Sequence, residues 1–305
     1  MPRVDTNCIV TFYEDSGQGP AVVLVHGHSA DLRLWDLQVP ALVEAGYRVI
    51  RYDVRGHGRT TAPATGYTWQ NYALDLRDLL ASLSVETAHV VGLSMGGGIA
   101  LQFALDFPER VSSLVLVDSA LPGFDYSPEF AGAIEELVAA VRAEGPRAAF
   151  ERLWLAHPLF DGVRRFPERF ELLRTMALDY AAADYYDDTP YTPPEREAVD
   201  RLAELRVPTL VLVGELDIPD FQLIAEVLVR NIADARLQVI ADSGHVPSLE
   251  QPQAFNRALL GFLNELPTLG NGRRQWLRLS AFWRRAARTT PRLYRSRRPR
   301  PATLQ

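Results

Sequence analysis

Short apolar runs alternate with amphipathic stretches along most of the chain. Ala21–His26, Tyr47–Tyr52, His89–Gly92, Val111–Val117, Thr209–Val213 and Arg236–Ala241 are rich in Val, Ile and Leu and show no strict period of two. Such runs suit strands buried on both faces. Between them, Trp35–Ala45, Trp69–Ser82, Gly97–Phe107, Phe221–Asn231 and Pro252–Leu263 carry the apolar spacing of helices. The alternation predicts an α/β protein, its mostly parallel sheet covered by helices on both faces. Ile9–Tyr13 is expected to add an antiparallel strand at the start.

The rhythm breaks between Pro122 and Glu204. Glu129–Arg142, Pro146–Leu155, Pro167–Ala183 and Thr192–Leu205 read as helices, with no strand among them. The expected organisation is a core over 1–121 and 205–268, with a helical insertion over 122–204 after the Val111–Val117 strand. Three surface helices would account for the insertion. The motifs that flank it favour a lid over the carboxyl edge of the sheet, where open α/β sheets bind ligands.

Composition narrows the class. The chain has 305 residues, 47% apolar and 23% charged, which is ample for a large core and rules out collagen-like or globally disordered readings. No apolar run reaches the roughly 18 residues of a membrane span. Met1–Asp5 lacks a signal-peptide pattern, so a cytoplasmic location is expected. Cys8 is the one cysteine, which excludes an intrachain disulfide and a cysteine zinc site.

Charge divides the chain in two. All 32 basic residues are arginine. Residues 1–269 hold 21 of them against 38 Asp and Glu, a balance of −17, while the remainder carries +11 and no acid. Trp276, Leu279 and Trp283 recur at helical spacing among Arg278, Arg284, Arg285 and Arg288. The tail, 269–305, is expected to be disordered, with weak contact to an anionic surface as its alternative role. Arginines without an order of base-stacking aromatics give no reason to expect nucleic-acid binding.

The chemistry begins at Gly92-Leu93-Ser94-Met95-Gly96. G-x-S-x-G arises by chance in about one chain of this length in ten, so context decides. Here it follows a strand and opens a helix, the setting of a nucleophile elbow that holds a serine oxygen above the sheet. A serine hydroxyl needs a base, and the base needs an orienting acid; this architecture orders them Ser, acid, His. His245, in Asp242-Ser243-Gly244-His245 after a late strand, is the candidate base. His157 also follows Ser94 but lies in the insertion. Asp217, after Thr209–Val213, is the preferred acid, with Glu215, Asp220 and Asp118 as rivals.

Acyl transfer also needs two donors for the developing oxyanion. The backbone N–H of Met95 is one candidate and that of His28, in His26-Gly27-His28-Ser29, is the other. His26-Gly27-His28 invites a metal reading, but the H-x-H-x-D-H pattern fails at Asp31 and Leu32, so neither metal nor cofactor is expected.

His26-Gly27 with Trp35, Asp53-x-Arg55-Gly56-x-Gly58, the Ser94 elbow, the Asp217 loop and Gly244-His245 together resemble the α/β-hydrolase superfamily over residues 9–266. The resemblance implies the α/β-hydrolase fold, a Ser94–Asp217–His245 triad and a helical cap in the insertion. It makes Asp53 and Arg55 parts of a structural turn. Within the superfamily, the elbow and the Gly214–Phe221 loop look most like carboxylic-ester hydrolases of the 3-oxoadipate enol-lactonase-like type. The function this implies is hydrolysis of a small, largely apolar ester or lactone through an acyl-enzyme. Carbon–carbon bond hydrolysis, cofactor-free perhydrolysis and a non-catalytic receptor remain alternatives. Trp35, Trp154, Phe160 and Tyr185 are pocket candidates. Arg152 and Arg164 are candidate partners for a substrate carboxylate.

Overall fold

The computed structural model describes residues 2–190 and 192–266. Eight strands form one sheet: β1 (Arg3–Thr6), β2 (Ile9–Ser16), β3 (Ala21–Val25), β4 (Arg48–Tyr52), β5 (Ala88–Leu93), β6 (Val111–Val117), β7 (Thr209–Gly214) and β8 (Ala235–Ile240). Their spatial order is β1-β2-β4-β3-β5-β6-β7-β8. β1 and β2 pair antiparallel, and β2 joins β4 antiparallel. Every pairing from β4 through β8 is parallel. β3, β5 and β7 are buried along their whole length, as their unbroken apolar runs require.

Before the sixth strand come α1 (Val39–Glu44), α2 (Trp69–Ser82) and α3 (Met95–Asp106). Thr68 caps α2 by accepting the Asn71 N–H. Leu76, Leu79 and Leu80 of α2 are fully buried, each contributing about 1.5–3 kcal/mol of apolar transfer. α3 is buried from Gly96 to Leu105.

Only helices and turns stand between β6 and β7 among the described residues. They include α4 (Pro128–Glu144), α5 (Pro146–Ala149), α6 (Asp161–Arg164), α7 (Pro167–Asp179) and α8 (Ala198–Arg201). Ser127 caps α4 through the Phe130 N–H, and both its N–H and hydroxyl bond to Asp220. A π-helical turn, Phe150–Trp154, continues from α5. After β7 come α9 (Pro219–Asn231), α10 (Pro247–Glu250) and α11 (Pro252–Glu265). Met1–Leu263 make up one compact unit.

Several boundaries depart from the pattern-based expectation. The Trp35–Ala45 stretch divides into a 3-10 turn at Leu32–Trp35, capped by Asp31, and the short α1. α7 stops at Asp179, because Tyr180 is extended and Ala182 takes a positive φ of 51°. The Thr192–Leu205 stretch forms only α8 and a 3-10 turn, consistent with Pro193-Pro194 keeping the preceding backbone out of the helical region. β8 is not buried on both faces: Arg236–Val239 are exposed, since the strand lies at the sheet margin. The basic segment 269–305 lies outside the described residues.

Candidate active site

Ser94 sits between β5 and α3 with φ 54° and ψ −118°, a conformation L side chains rarely adopt. Its neighbours hold it there. Ser94 N–H donates to Val117 O, and Ser94 O accepts from Gly97, Gly98 and Ala120 N–H at 2.9–3.1 Å. A Cβ at Gly96 would overlap the carbonyls of Val25 and His26. Glycine there lets α3 start directly against β3. The elbow is therefore dictated by packing as well as by the motif.

Asp217 and His245 come from the ends of β7 and β8. His245 Nδ1–H donates to Asp217 Oδ2 at 2.8 Å, and Asp217 Oδ1 accepts the Ile218 N–H at 2.8 Å. Both side chains are buried. His245 Nε2 is buried too and has no hydrogen-bond partner among the described residues. The Phe221 ring lies 4.3 Å from the imidazole, centroid to centroid, tilted by 54°.

The rivals for the acid are engaged elsewhere. Glu215 accepts the Asp242 N–H, and Asp220 is held by Ser127. Asp118 is wholly buried and accepts the Gly214 N–H. His157 caps the Pro158–Phe160 turn. Glu250 fixes the histidine loop by accepting N–H groups from Gly244 and Val246, the two residues flanking His245.

Ser94, Met95 and His245 face one cavity of about 1010 Å³. Its base includes Gly27 and His28, and the β6–β7 segment supplies Trp154, Phe160 and Tyr185. Trp154 reaches it from the π turn and donates Nε1–H to Ser29 Oγ at 2.7 Å. His28 Nε2 pairs with the Tyr185 hydroxyl at 2.9 Å. Burial lowers the affinity of His26, His28 and His57 for protons, keeping this cluster neutral near pH 7.

One pocket expectation is corrected. Trp35 is fully buried in the core beside Phe255, and it does not line the cavity. Arg152 pairs with Glu144, and Arg164 binds Leu155 O, His157 O and Asp161; neither lines the cavity. Arg142 does, and sequence reasoning missed it, as it missed Tyr126, Phe130 and Phe221. Asp53 accepts the Leu32 and Arg59 N–H groups, and Arg55 pairs with Asp75; both brace turns.

Both ring nitrogens of His26 and Nε2 of His28 are engaged in hydrogen bonds. His26 Nδ1–H donates to Gly27 O, its Nε2 accepts the Val54 N–H, and His28 bonds Tyr185. Among the described residues, Asp118, Asp217 and His245 bring potential ligand atoms within 4.8 Å of one another.

A family model of the α/β-hydrolase fold matches residues 20–252. Over 272 residues the chain is 29% identical to the non-heme chloroperoxidase CPO-A1 of Kitasatospora aureofaciens, covering 83% of this chain and 96% of that protein. The enol-lactonase from Burkholderia xenovorans LB400 is similar in structure, with a TM-score of 0.75 at 27% identity over 87% of this chain and 100% of that one. A thermophilic esterase from Thermogutta terrifontis gives 0.72 at 31% identity, over 92% and 99%. The chain belongs to the α/β-hydrolase family. It is an enzyme of hydrolase type, and no helix among its described residues is long and apolar enough to cross a membrane.

Proposed function

We propose that the chain hydrolyses a small, largely apolar carboxylic ester or lactone through an acyl-enzyme on Ser94. The observation that carries this reading is the state of His245. Its Nδ1 is committed to Asp217, and its buried, unpartnered Nε2 belongs to the same cavity wall as Ser94. An imidazole so held has one basic nitrogen to offer, and a hydroxyl proton is what it can take.

His245 Nε2 accepts the Ser94 proton as Oγ attacks the carbonyl carbon. Asp217 keeps the tautomer and stabilises the imidazolium. Met95 opens α3, so its N–H has no intrahelical acceptor. That N–H and the His28 N–H take the oxyanion, each worth about 2.7–4 kcal/mol in the transition state. His245 then protonates the leaving alcohol oxygen, or the released end of the lactone. It next activates the water that cleaves the acyl-enzyme. The helices between β6 and β7 act as the lid, their aromatic side chains enclosing the acyl group. Likeness to an enol-lactonase and an esterase supports the substrate class.

The test is turnover of p-nitrophenyl acetate by the wild type and Ser94→Ala, with fluorophosphonate labelling of Ser94 alongside. The expected result is labelling of the wild type and a fall in kcat of about 10⁴-fold or more in the variant. Equal turnover by both proteins would overturn the mechanism. The likeness to a non-heme chloroperoxidase favours one second reading, in which hydrogen peroxide replaces water at the acyl-enzyme and a peracid leaves. Peracid release from acetate and peroxide, measured on the same two proteins, tests it.

A further inference from the structure

We propose that Asp118 is a positioning residue of this site: a neutral carboxylic acid that donates its O–H to Asp217 and thereby fixes the carboxylate that holds His245. Asp118 directly follows β6 and is wholly buried. Its backbone has a positive φ of 39°, unusual for a residue with a side chain, and its N–H is tied to Leu212 O. Oδ1 accepts the Gly214 N–H at 2.9 Å, anchoring the carboxyl against the end of β7. Oδ2 is buried as well and receives no N–H or O–H from the described residues. An ionised oxygen in that position would have neither water nor a donor to hold its charge.

The carboxyl packed beside Asp118 is that of Asp217. Oxygens of both carboxyls and a ring nitrogen of His245 lie within 4.8 Å of one another. Two carboxyls so close, out of water, do not both ionise. Asp217 is the charged one, because both of its oxygens accept hydrogen bonds, from Ile218 N–H and from His245 Nδ1–H. The shared proton therefore belongs to Asp118. Burial foremost, and the Asp217 charge next, push the Asp118 carboxyl well above the usual carboxylate range. Glu250, the other acid packed around this loop, has its oxygens engaged by Gly244 and Val246 N–H. With Asp118 in place, Asp217 has a partner beside the imidazole that fixes its carboxylate.

Because Asp118 acts through Asp217, the proposal rests on the serine-hydrolase reading of the site. Full-chain protein carrying Asp118→Asn is compared with Asp118→Ala and the wild type on p-nitrophenyl acetate. The asparagine keeps both bonds: its carbonyl accepts the Gly214 N–H and its amide donates to Asp217. Its kcat should stay within about threefold of wild type, whereas alanine should cost about 10–100-fold in kcat with KM within about twofold. The downfield proton resonance of His245 Nδ1–H should be retained in Asp118→Asn and lost or shifted in Asp118→Ala. An asparagine variant as impaired as the alanine one would overturn the proposal, since a charged carboxyl would then be required. So would an alanine variant with wild-type kcat and resonance. If alanine does not fold, the asparagine resonance decides alone: unchanged supports the donor role, and lost refutes it. Wild-type protein that neither turns over ester nor is labelled at Ser94 refutes the site reading instead, while the resonance still reports on Asp118.

Discussion

Gly162, from the helices between β6 and β7, lies against the carboxylate of Glu250, and a Cβ at 162 would overlap that group. Glu250 in turn holds the N–H groups on either side of His245. The placement of the imidazole thus depends on a residue of another segment being glycine. Gly162→Ala should displace Glu250 and lower kcat by up to about 10²-fold, the scale expected when a catalytic group shifts by about 1 Å. Steady-state kinetics with a melting curve on the same sample checks this; wild-type kcat in a folded variant would count against it.

Asp217→Asn should preserve the shape of the site and reverse the hydrogen bond. The amide would donate to Nδ1, leaving the proton on Nε2, which then cannot accept the Ser94 proton. A fall in kcat of about 10⁴-fold is expected from this loss of tautomer. The discriminating measurement is kcat at fixed pH, set against equal variants of Glu215 and Asp220, which should remain within about threefold.

His89, on β5, is buried, with Nδ1 bonded to Ser113 Oγ. Burial pushes its pKa down to about 4. The unfolded chain therefore binds a proton near pH 6.5 that the folded chain refuses until about pH 4. Its share of stability is complete above about pH 6.5 and declines as the pH falls toward 4. Between pH 7 and 5, His89→Asn should lose about 2 kcal/mol less stability than wild type. Urea titrations at the two pH values measure the difference; parallel losses would contradict it.

Two glycine-to-alanine changes should act in opposite directions. Gly132 lies in α4 with open space around the position of a Cβ, so Gly132→Ala should stabilise by about 0.5–1 kcal/mol. Gly96→Ala would drive a methyl into the carbonyls of Val25 and His26 and should cost about 3 kcal/mol or more. Denaturation midpoints of the pair decide.

The strand ends were readable because buried parallel strands are written as unbroken Val, Ile and Leu runs. Chain order then identified Ser94, Asp217 and His245 as a set. Sequence order preferred Asp217 over Asp118; the fold adds that Asp217 bonds the imidazole while Asp118, at the same end of the sheet, accepts the Gly214 N–H. The cavity wall was far less legible. Trp35 and Trp154 look alike in sequence, yet one packs on Phe255 and the other reaches the cavity through a π turn that no periodicity announces. Tyr126, Phe130 and Phe221 converge from separate elements, so no local pattern joins them. Arg142 lies in the last turn of α4, where an arginine needs no binding role to be favourable.

The three N–H groups gathered on the Ser94 carbonyl have an effect on the far side of the same bond. Ser94 C=O and Met95 N–H belong to one planar peptide unit and point in opposite directions. Anchoring the oxygen to Gly97, Gly98 and Ala120 fixes the heading of that hydrogen before any substrate arrives. In the proposed reaction this dipole would need no reorientation as charge develops, its heading having been fixed in folding.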